Sequence, residues 1–294
     1  MKQLLVLSGK GGTGKTTIAS ALIHLSDAKR FADCDVDAPN LHLSIQIPPE
    51  KAEEDYYGLP KAQIDEGECG RCGLCMSLCR FDAISRLEDG RYRIDPAACE
   101  GCALCEAVCE SRAISMQPAI TGRLVAYRGD GRFFSTASLR MGSGNSGKLV
   151  SVVKKKLLES GAAGRFAVID GSPGIGCPVI ASVSGVDMVL IVAEPTLSGV
   201  SDMERVLKTA FRLGVKCAVC VNKSDVNERI ADEIESFCGK AKIPFVGRVP
   251  YDRSVVEAVN AGVDVVDRGG SAARAIEALH GRVSALLRES EEAE

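Results

Sequence analysis

The sequence has little of what marks a membrane-spanning, secreted or nucleic-acid-binding protein. Tryptophan is absent and aromatic residues make up 4%, so the stacking platforms that bind single-stranded nucleic acid are not expected. A net charge of −3 gives no electrostatic reason to expect a nucleic-acid partner. No apolar run reaches the roughly 18 residues of a membrane helix. The N-terminal apolar run leads into glycines and is too short for a signal peptide. We therefore expect a cytoplasmic protein that binds no membrane.

The apolar segments that are present alternate between strand and helix patterns. Strands are predicted at 2–8, 29–35, 165–170, 187–194, 216–222 and 244–249. Helices are predicted at 15–25, 145–160, 198–213, 226–240, 253–261 and 271–288, and Ser143 to Ser146 are predicted to cap the second of them. Residues after 118 alternate like a β-hairpin, with Gly129-Asp130-Gly131 as the turn. This order predicts an α/β fold, with a doubly wound and mostly parallel sheet covered on both faces.

A glycine-rich loop follows the first predicted strand. Its residues fit G-x₄-G-K-[ST] between a strand and a helix, which is the context that a phosphate-binding loop requires. Backbone N–H groups converge on phosphate oxygens in such a loop, and the helix N-terminus favours negative charge. We expect Lys15 to reach the β- and γ-phosphates and the Thr16 hydroxyl to bind Mg²⁺. The predicted nucleotide-binding residues of the loop are Gly9, Lys10, Gly11, Gly12, Thr13, Gly14, Lys15, Thr16 and Thr17.

The lysine early in the loop narrows the family. The segment KGGTGKT, residues 10–16, resembles the deviant phosphate loop of the ATPases that include MinD, ParA, Mrp and the nitrogenase iron protein. The resemblance covers about residues 1–50 and 119–290. It implies ATP and Mg²⁺ as ligands, ATP hydrolysis, and an ATP-dependent homodimer in which Lys10 reaches the phosphates bound by the partner.

Two acidic segments match the same family. ADCDVDAPNL, residues 32–41, resembles its first switch, and FAVIDGSPG, residues 166–174, resembles its Walker-B strand and second switch. By this resemblance Asp35 positions Mg²⁺ or the attacking water, and Asp170 holds a Mg²⁺-bound water. Together with Lys10 and Lys15 they are the predicted catalytic residues. Asp37 stays open as an alternative hydrolytic group.

A third segment is predicted to contact the base. VNKSD, residues 221–225, ends a strand, and its resemblance to the family places Asn222 on an adenine. The loop around Pro250 resembles the family's last adenine-side segment. Asn222-Lys223-Ser224-Asp225 also fits the NKxD pattern of proteins that read guanine. Guanine therefore remains an alternative to adenine at this point.

Thirteen cysteines without a secretion signal indicate metal or redox chemistry rather than disulfides. Residues 69–84 and 99–114 match at an offset of 30, and each contains C-x₂-C-x₂-C-x₃-C. This run binds [4Fe–4S] clusters, and in two-cluster ferredoxins its fourth cysteine ligates the other cluster. Paired zinc sites are the alternative. The predicted ligands are Cys69, Cys72, Cys75 and Cys109 for one cluster and Cys79, Cys99, Cys102 and Cys105 for the other.

The five remaining cysteines have weaker signals. Cys217 and Cys220 spell C-x₂-C, but within a strand their side chains point to opposite faces, so both are predicted in the core. Cys34 and Cys238 are predicted to be buried. Cys177 follows Asp170 by seven residues, the offset at which the nitrogenase iron protein places a cluster ligand. Packing and a redox or cluster-transfer role both stay open for Cys177.

Together these features resemble MinD-superfamily ATPases that contain an inserted bacterial-type ferredoxin domain. The predicted ATPase domain is residues 1–56 and 119–294, and the insert is residues 57–118. One expected function is electron transfer in which ATP-dependent dimerisation is coupled to two [4Fe–4S] clusters. The alternatives are an ATP-dependent carrier or assembly factor for metal clusters and a redox-sensing positioning ATPase. We expect a redox protein or an apo-metalloprotein as partner.

Overall fold

The computed structural model describes residues 1–164 and 166–292, and these contain thirteen β-strands. Arg165, the first residue of a predicted strand, and residues 293–294 lie outside the described residues. The strands are β1 (Lys2–Leu7), β2 (Arg30–Asp33), β3 (Glu50–Tyr57), β4 (Lys61–Ile64), β5 (Ile84–Arg86), β6 (Tyr92–Ile94), β7 (Ile114–Gln117), β8 (Ile120–Gly129), β9 (Arg132–Leu139), β10 (Phe166–Asp170), β11 (Met188–Ala193), β12 (Lys216–Asn222) and β13 (Phe245–Val249).

Ten α-helices occur in the same described residues. They are α1 (Lys15–Leu25), α2 (Leu74–Leu78), α3 (Leu104–Ala107), α4 (Ser146–Glu159), α5 (Cys177–Val183), α6 (Leu197–Arg212), α7 (Glu228–Ala241), α8 (Arg253–Ala261), α9 (Val265–Arg268) and α10 (Ser271–Glu292). The predicted helices are all present, with ends shifted by a few residues. The predicted serine cap of α4 is wrong, because Asn145 precedes the helix in a left-handed conformation without a side-chain cap. Within the described residues, no helix has both the length and the apolar character needed to cross a membrane.

Nine strands form one sheet in the order β13-β12-β11-β1-β10-β2-β9-β8-β3. Neighbouring strands from β13 to β9 are all parallel, which confirms a mostly parallel sheet. The carboxyl ends of parallel strands meet at one edge of such a sheet, which is where ligands bind. Asp33, Asp170 and Asn222 are the last residues of β2, β10 and β12. The topology therefore gathers them at the edge from which the glycine loop leaves β1.

The central strands are covered on both faces, as predicted. The face of the sheet that carries Leu5 and Leu7 packs against α4, α5, α6 and α7. The opposite face, which carries Leu4 and Val6, packs against α1, α9 and α10. Cys217 lies in the first core and Cys220 in the second. This confirms that these two cysteines point to opposite faces of β12 and do not form one site.

A hairpin and an unpredicted strand extend the sheet beyond its parallel part. β8 and β9 pair antiparallel around Asp130 and Gly131, which both have positive φ angles, as a tight two-residue hairpin requires. β3 pairs antiparallel with β8 along its whole length and is the edge strand. Its sequence, EKAEEDYY, is almost wholly exposed, with only Tyr56 buried. A charged edge strand avoids pairing with other chains.

The cysteine-rich residues between β3 and β8 form small elements separate from the large sheet. β4 pairs with β7 and β5 pairs with β6, each antiparallel. α2 and α3 begin after the second cysteine of each run and contain the third, Cys75 and Cys105. The Ala-Ile pair after each run is buried, and Ile84 and Ile114 begin β5 and β7. The 30-residue sequence repeat is thus also a repeat of structural elements.

Candidate functional site

The glycine loop connects the end of β1 to the first turn of α1. Gly14 precedes the helix with a φ of 87°, which favours glycine. A β-carbon at this position would lie 2.2 Å from Nδ2 of Asn222. That amide donates a hydrogen bond to the Thr13 carbonyl at 2.7 Å. The loop therefore needs glycine at position 14, and the segment that ends β12 packs directly on it.

Two predicted catalytic residues, Lys15 and Asp170, meet the predicted Mg²⁺ ligand Thr16 at the start of α1. Lys15 Nζ lies 2.6 Å from Asp170 Oδ1, and both side chains are buried. Thr16 donates to Asp170 Oδ2 at 2.7 Å and lies 3.1 Å from Asn40 Oδ1. Hydroxyl and carboxylate oxygens are the ligands that Mg²⁺ prefers, directly or through water. Thr16 and Asp170 could thus hold Mg²⁺ beside Lys15.

The acidic residues of the first switch have three different environments. Asp33 is fully buried and accepts backbone N–H groups from Asp35 at 2.9 Å, Asn40 at 2.9 Å and Leu41 at 3.0 Å. Burial raises the pKa of Asp35, which Lys15 opposes and Asp170 reinforces. Asp37 is exposed. Lys15 and Asp170 thus both act electrostatically on Asp35, whereas Asp33 fixes the backbone of residues 35–41.

The buried Asp33 carboxyl gives a pH prediction. Burial, reinforced by Asp170, raises the pKa of Asp33 from 3.8 to about 7. Between pH 3.8 and about 7, the Asp33 carboxyl therefore binds a proton in the folded protein that it does not bind in the unfolded chain. The stability that this proton contributes is lost as the pH rises through about 7. Without nucleotide or Mg²⁺, we expect the free energy of unfolding to fall as the pH rises from 5 to 8, and to fall less in Asp33→Asn. Urea unfolding of both proteins over this range measures the difference, and equal pH dependence would contradict it.

Lys10 lies in an ion-pair group within its own chain. Its Nζ is 2.7 Å from Glu194 Oε2, and Lys223 Nζ is 3.0 Å from Glu194 Oε1. Burial raises the pKa of Glu194, but the hydrogen bonds from Lys10 and Lys223 outweigh it and lower that pKa below its ordinary value. Lys223 also donates to the Gly12 carbonyl at 2.9 Å. Sequence reasoning did not find Glu194, which follows β11 without any motif around it.

A cavity beside the glycine loop brings together the residues predicted to contact the base. Asn222 and Pro250 both line it, although β12 and the loop after β13 are far apart in sequence. We call this cavity the base cavity. Its walls are mainly apolar and end on α8, as suits the flat face of a purine. The lining residues are Gly14, Thr17, Ile18, Asn222, Lys223, Val249, Pro250, Tyr251, Asp252, Val255, Val256, Val259, Asn260 and Ile276.

The cysteines form two groups that each draw on both sequence runs. Burial raises the pKa of Cys75, and the nearby thiols of the first group reinforce this rise. One cavity is lined by all four cysteines of the second group, together with apolar residues such as Ile94 and Met116. We call these groups the first and second quartets. The first quartet is Cys69, Cys72, Cys75 and Cys109, and the second is Cys79, Cys99, Cys102 and Cys105.

The five remaining cysteines lie outside both quartets. Cys34 and Cys238 are buried, as predicted, and Cys177 is exposed at the start of α5. Among the residues that the structure describes, no three His, Cys, Asp or Glu side chains converge on a single metal-ion position.

Comparison with known proteins decides the family of the nucleotide site. The CobQ/CobB/MinD/ParA nucleotide binding domain matches residues 4–265, which include the glycine loop, both switches and the base cavity loop. The chain belongs to this family. It is a MinD/ParA-type P-loop ATPase, as the glycine loop predicted.

Relatives and solved structures agree with this assignment. The uncharacterized protein MJ0578 of Methanocaldococcus jannaschii is 37% identical over 232 residues, which cover 76% of this chain and 79% of that protein. MinD of Pyrococcus horikoshii complexed with Mg-ADP matches 98% of each chain with a TM-score of 0.58 at 17% identity. A ParA family ATPase of Chlorobium tepidum matches 95% of this chain and 99% of that chain, with a TM-score of 0.53 at 17% identity. This MinD/ParA-type ATPase therefore shares the fold of both solved structures.

Proposed function

We propose that this MinD/ParA-type ATPase binds two [4Fe–4S] clusters in residues 57–118 and couples its nucleotide state to electron transfer through them. The main support is the crossed composition of the first and second quartets. Each quartet takes three cysteines from one run and its fourth from the other, which is the ligand pattern of two-cluster ferredoxins. Simple proximity in sequence would instead have grouped the four cysteines of each run.

The surroundings of the quartets fit such clusters. Deprotonated thiols are the ligands of iron–sulfur clusters, and a bound cluster supplies a one-electron carrier. Ala62, Ala83 and Ile114 form a small apolar core with cysteines of both quartets. Apolar neighbours of this kind limit solvent access, which influences reduction potential. Cys72 and Cys102 are exposed, which leaves each quartet one side where an electron-transfer partner can approach.

The loop between β9 and α4, residues 140–145, supports coupling between the two parts of the chain. We call it the connecting loop. A β-carbon at Gly144 would lie 2.8 Å from Oε2 of Glu100, and one at Gly142 would lie 3.8 Å from Cβ of Ala97. Glu100 lies between two ligands of the second quartet in sequence. A shift of the connecting loop would therefore move residues that lie beside the second quartet.

The helix that follows the connecting loop, α4, packs on α5. A β-carbon at Gly147 in α4 would lie 3.0 Å from the carbonyl oxygen of Cys177. Cys177 begins α5, directly after the segment that carries Asp170 and the switch glycines. Switch segments are ordered by γ-phosphate and Mg²⁺ and relax on hydrolysis. We infer that switch movement reaches the second quartet through α5, α4 and the connecting loop.

Dimer formation is the second part of the proposed coupling. Lys10 pairs with Glu194 of its own chain, in a partly exposed position. We infer that ATP binding favours a homodimer in which Lys10 leaves Glu194 for the phosphates bound by the partner. Glu194 then keeps Lys223, so its charge stays compensated when Lys10 moves.

The proposal is tested by reconstituting the clusters under anaerobic conditions. We expect about eight irons per chain, from two four-iron clusters. Coupling energies between sites are typically about 1–3 kcal/mol, and 59 mV corresponds to a tenfold change for one electron. We therefore expect a cluster potential to shift by roughly 40–130 mV between nucleotide-free protein and ATP-bound Asp35→Ala, which retains ATP because hydrolysis is blocked. Redox titration followed by electron paramagnetic resonance measures the shift, with the ADP-bound protein as the control.

Two results would contradict the proposal in different ways. Two zincs per chain without visible absorbance would refute cluster binding. Eight irons with identical potentials and identical solvent exposure of the clusters in every nucleotide state would refute coupling to electron transfer. In the second case a cluster carrier becomes the better assignment, because the exposed Cys72 and Cys102 leave each quartet accessible for transfer. Iron transfer to an apo-ferredoxin, dependent on ATP, is the measurement that identifies it.

A further inference from the structure

The segment Asn222 to Asp225, which spells NKSD, has a role that its sequence leaves open. In proteins that read guanine through NKxD, the aspartate accepts hydrogen bonds from N1–H and the N2 amino group of the base. Adenine has neither donor on that edge. The position of the Asp225 carboxylate therefore shows whether Asp225 can contact a guanine base or has a structural role instead.

Asp225 is turned toward the loop that follows β13. Lys223 has a φ of 53°, and the next three residues form a single 3₁₀ turn. This reversal directs the Asp225 carboxylate to the backbone of residue 251, where Oδ1 accepts the N–H of Tyr251 at 2.6 Å. The residues lining the base cavity include Asn222, Lys223 and Tyr251 but not Asp225.

The same loop is held at its other end by a second carboxylate. Asp252 accepts N–H groups from Ser254 at 2.9 Å, from Ser271 at 2.7 Å and from Ala272 at 3.1 Å. Asp225 and Asp252 thus fix successive backbone positions of residues 249–252. Pro250 and Tyr251, which lie directly before and at the first anchored position, form a wall of the base cavity. Loss of either anchor would loosen that wall without touching the phosphate site.

We propose that Asp225 is a positioning residue that holds residues 249–252 against the bound base and does not read the base itself. Asn222 and Lys223 hold the opposite side of the site, through their hydrogen bonds to the Thr13 and Gly12 carbonyls. The NKSD segment therefore connects the glycine loop to the loop after β13 through the hydrogen bonds of Asn222, Lys223 and Asp225. Its match to a guanine-reading pattern carries no guanine specificity in this chain.

The test compares Asp225→Ala with Asp225→Asn in ATP hydrolysis. The alanine removes the acceptor for the Tyr251 N–H, so we expect KM for ATP to rise about fivefold. The kcat is expected to stay within about twofold, because the groups around Lys15 are unchanged. The asparagine keeps an oxygen at the same position and is expected to restore KM to within about twofold of the original. A role in overall stability alone would change the melting temperature without this split between KM and kcat.

Competition by other nucleotides tests the alternative, in which Asp225 reads guanine. For a guanine reader, GTP would displace ATP from the original protein, and Asp225→Asn would prefer XTP, whose 2-oxo group accepts a hydrogen bond from the amide. We expect ATP to be preferred over GTP and XTP in all three proteins. A switch from GTP to XTP on Asp225→Asn would overturn the proposal, and so would an Asp225→Ala protein with unchanged KM for ATP.

Discussion

Replacing Lys15 with alanine is expected to abolish ATP binding and to destabilise the nucleotide-free protein at the same time. We expect Lys15 to bind the β- and γ-phosphates, and removing one member of a buried charged contact costs about 2–5 kcal/mol of binding free energy. It is also the partner of Asp170 at 2.6 Å, with both side chains buried. Losing the lysine leaves that carboxylate without its cation, which costs about 3–5 kcal/mol of stability.

The double variant Lys15→Ala with Asp170→Asn separates these two effects. Removing the carboxylate charge is expected to restore much of the stability, whereas ATP binding stays lost because no cation has been returned. Isothermal titration with ATP and urea unfolding of the single and double variants measure both quantities. A Lys15→Ala protein that binds ATP normally would refute the assigned phosphate site. A single variant as stable as the original would refute a dominant Lys15–Asp170 pair.

Pairs of cysteine replacements are expected to reveal the crossed quartets through iron content. Cys75→Ala with Cys109→Ala removes two ligands of the first quartet, so about four irons should remain per chain. Cys75→Ala with Cys79→Ala removes one ligand from each quartet, although both residues belong to the same run. This second pair is expected to retain almost no iron, because each cluster then lacks a ligand.

The exposed Cys177 provides the matched control for these variants. Cys177→Ala lies outside both quartets and is expected to keep about eight irons. Uncrossed ligand sets would exchange the results of the two double variants, with almost no iron for Cys75 and Cys109 and about four for Cys75 and Cys79. Iron analysis and the visible spectrum after anaerobic reconstitution therefore distinguish the two arrangements directly.

The nucleotide site was largely predictable because its chemistry is local in sequence. A phosphate loop needs consecutive glycines, a lysine and a hydroxyl directly between a strand and a helix, and residues 9–16 supply them in order. The alternation of apolar strands and helices likewise predicted a mostly parallel sheet. Asp170 and Asp33 follow from this because the last residues of parallel strands lie at the same edge.

The strand at the edge of the sheet was not predictable in this way. Apolar periodicity reports burial, and β3 buries only Tyr56 while its charged residues face solvent. Its strand conformation comes from backbone pairing with β8, which leaves no trace in the apolar pattern. α5 was missed for a different reason, because its seven residues are too few to show a helical period.

The sequence by itself determined the family-defining loop, the order of the buried parallel strands and long helices, and the two cysteine runs, because each depends on residues close together in the chain. Only the tertiary structure decided which side chains meet across that order. Lys10 pairs with Glu194, and Asp225 with the backbone of Tyr251, because the sheet places the ends of separate strands side by side. Such contacts depend on strand neighbours and loop direction, which long-range packing sets and no local pattern encodes.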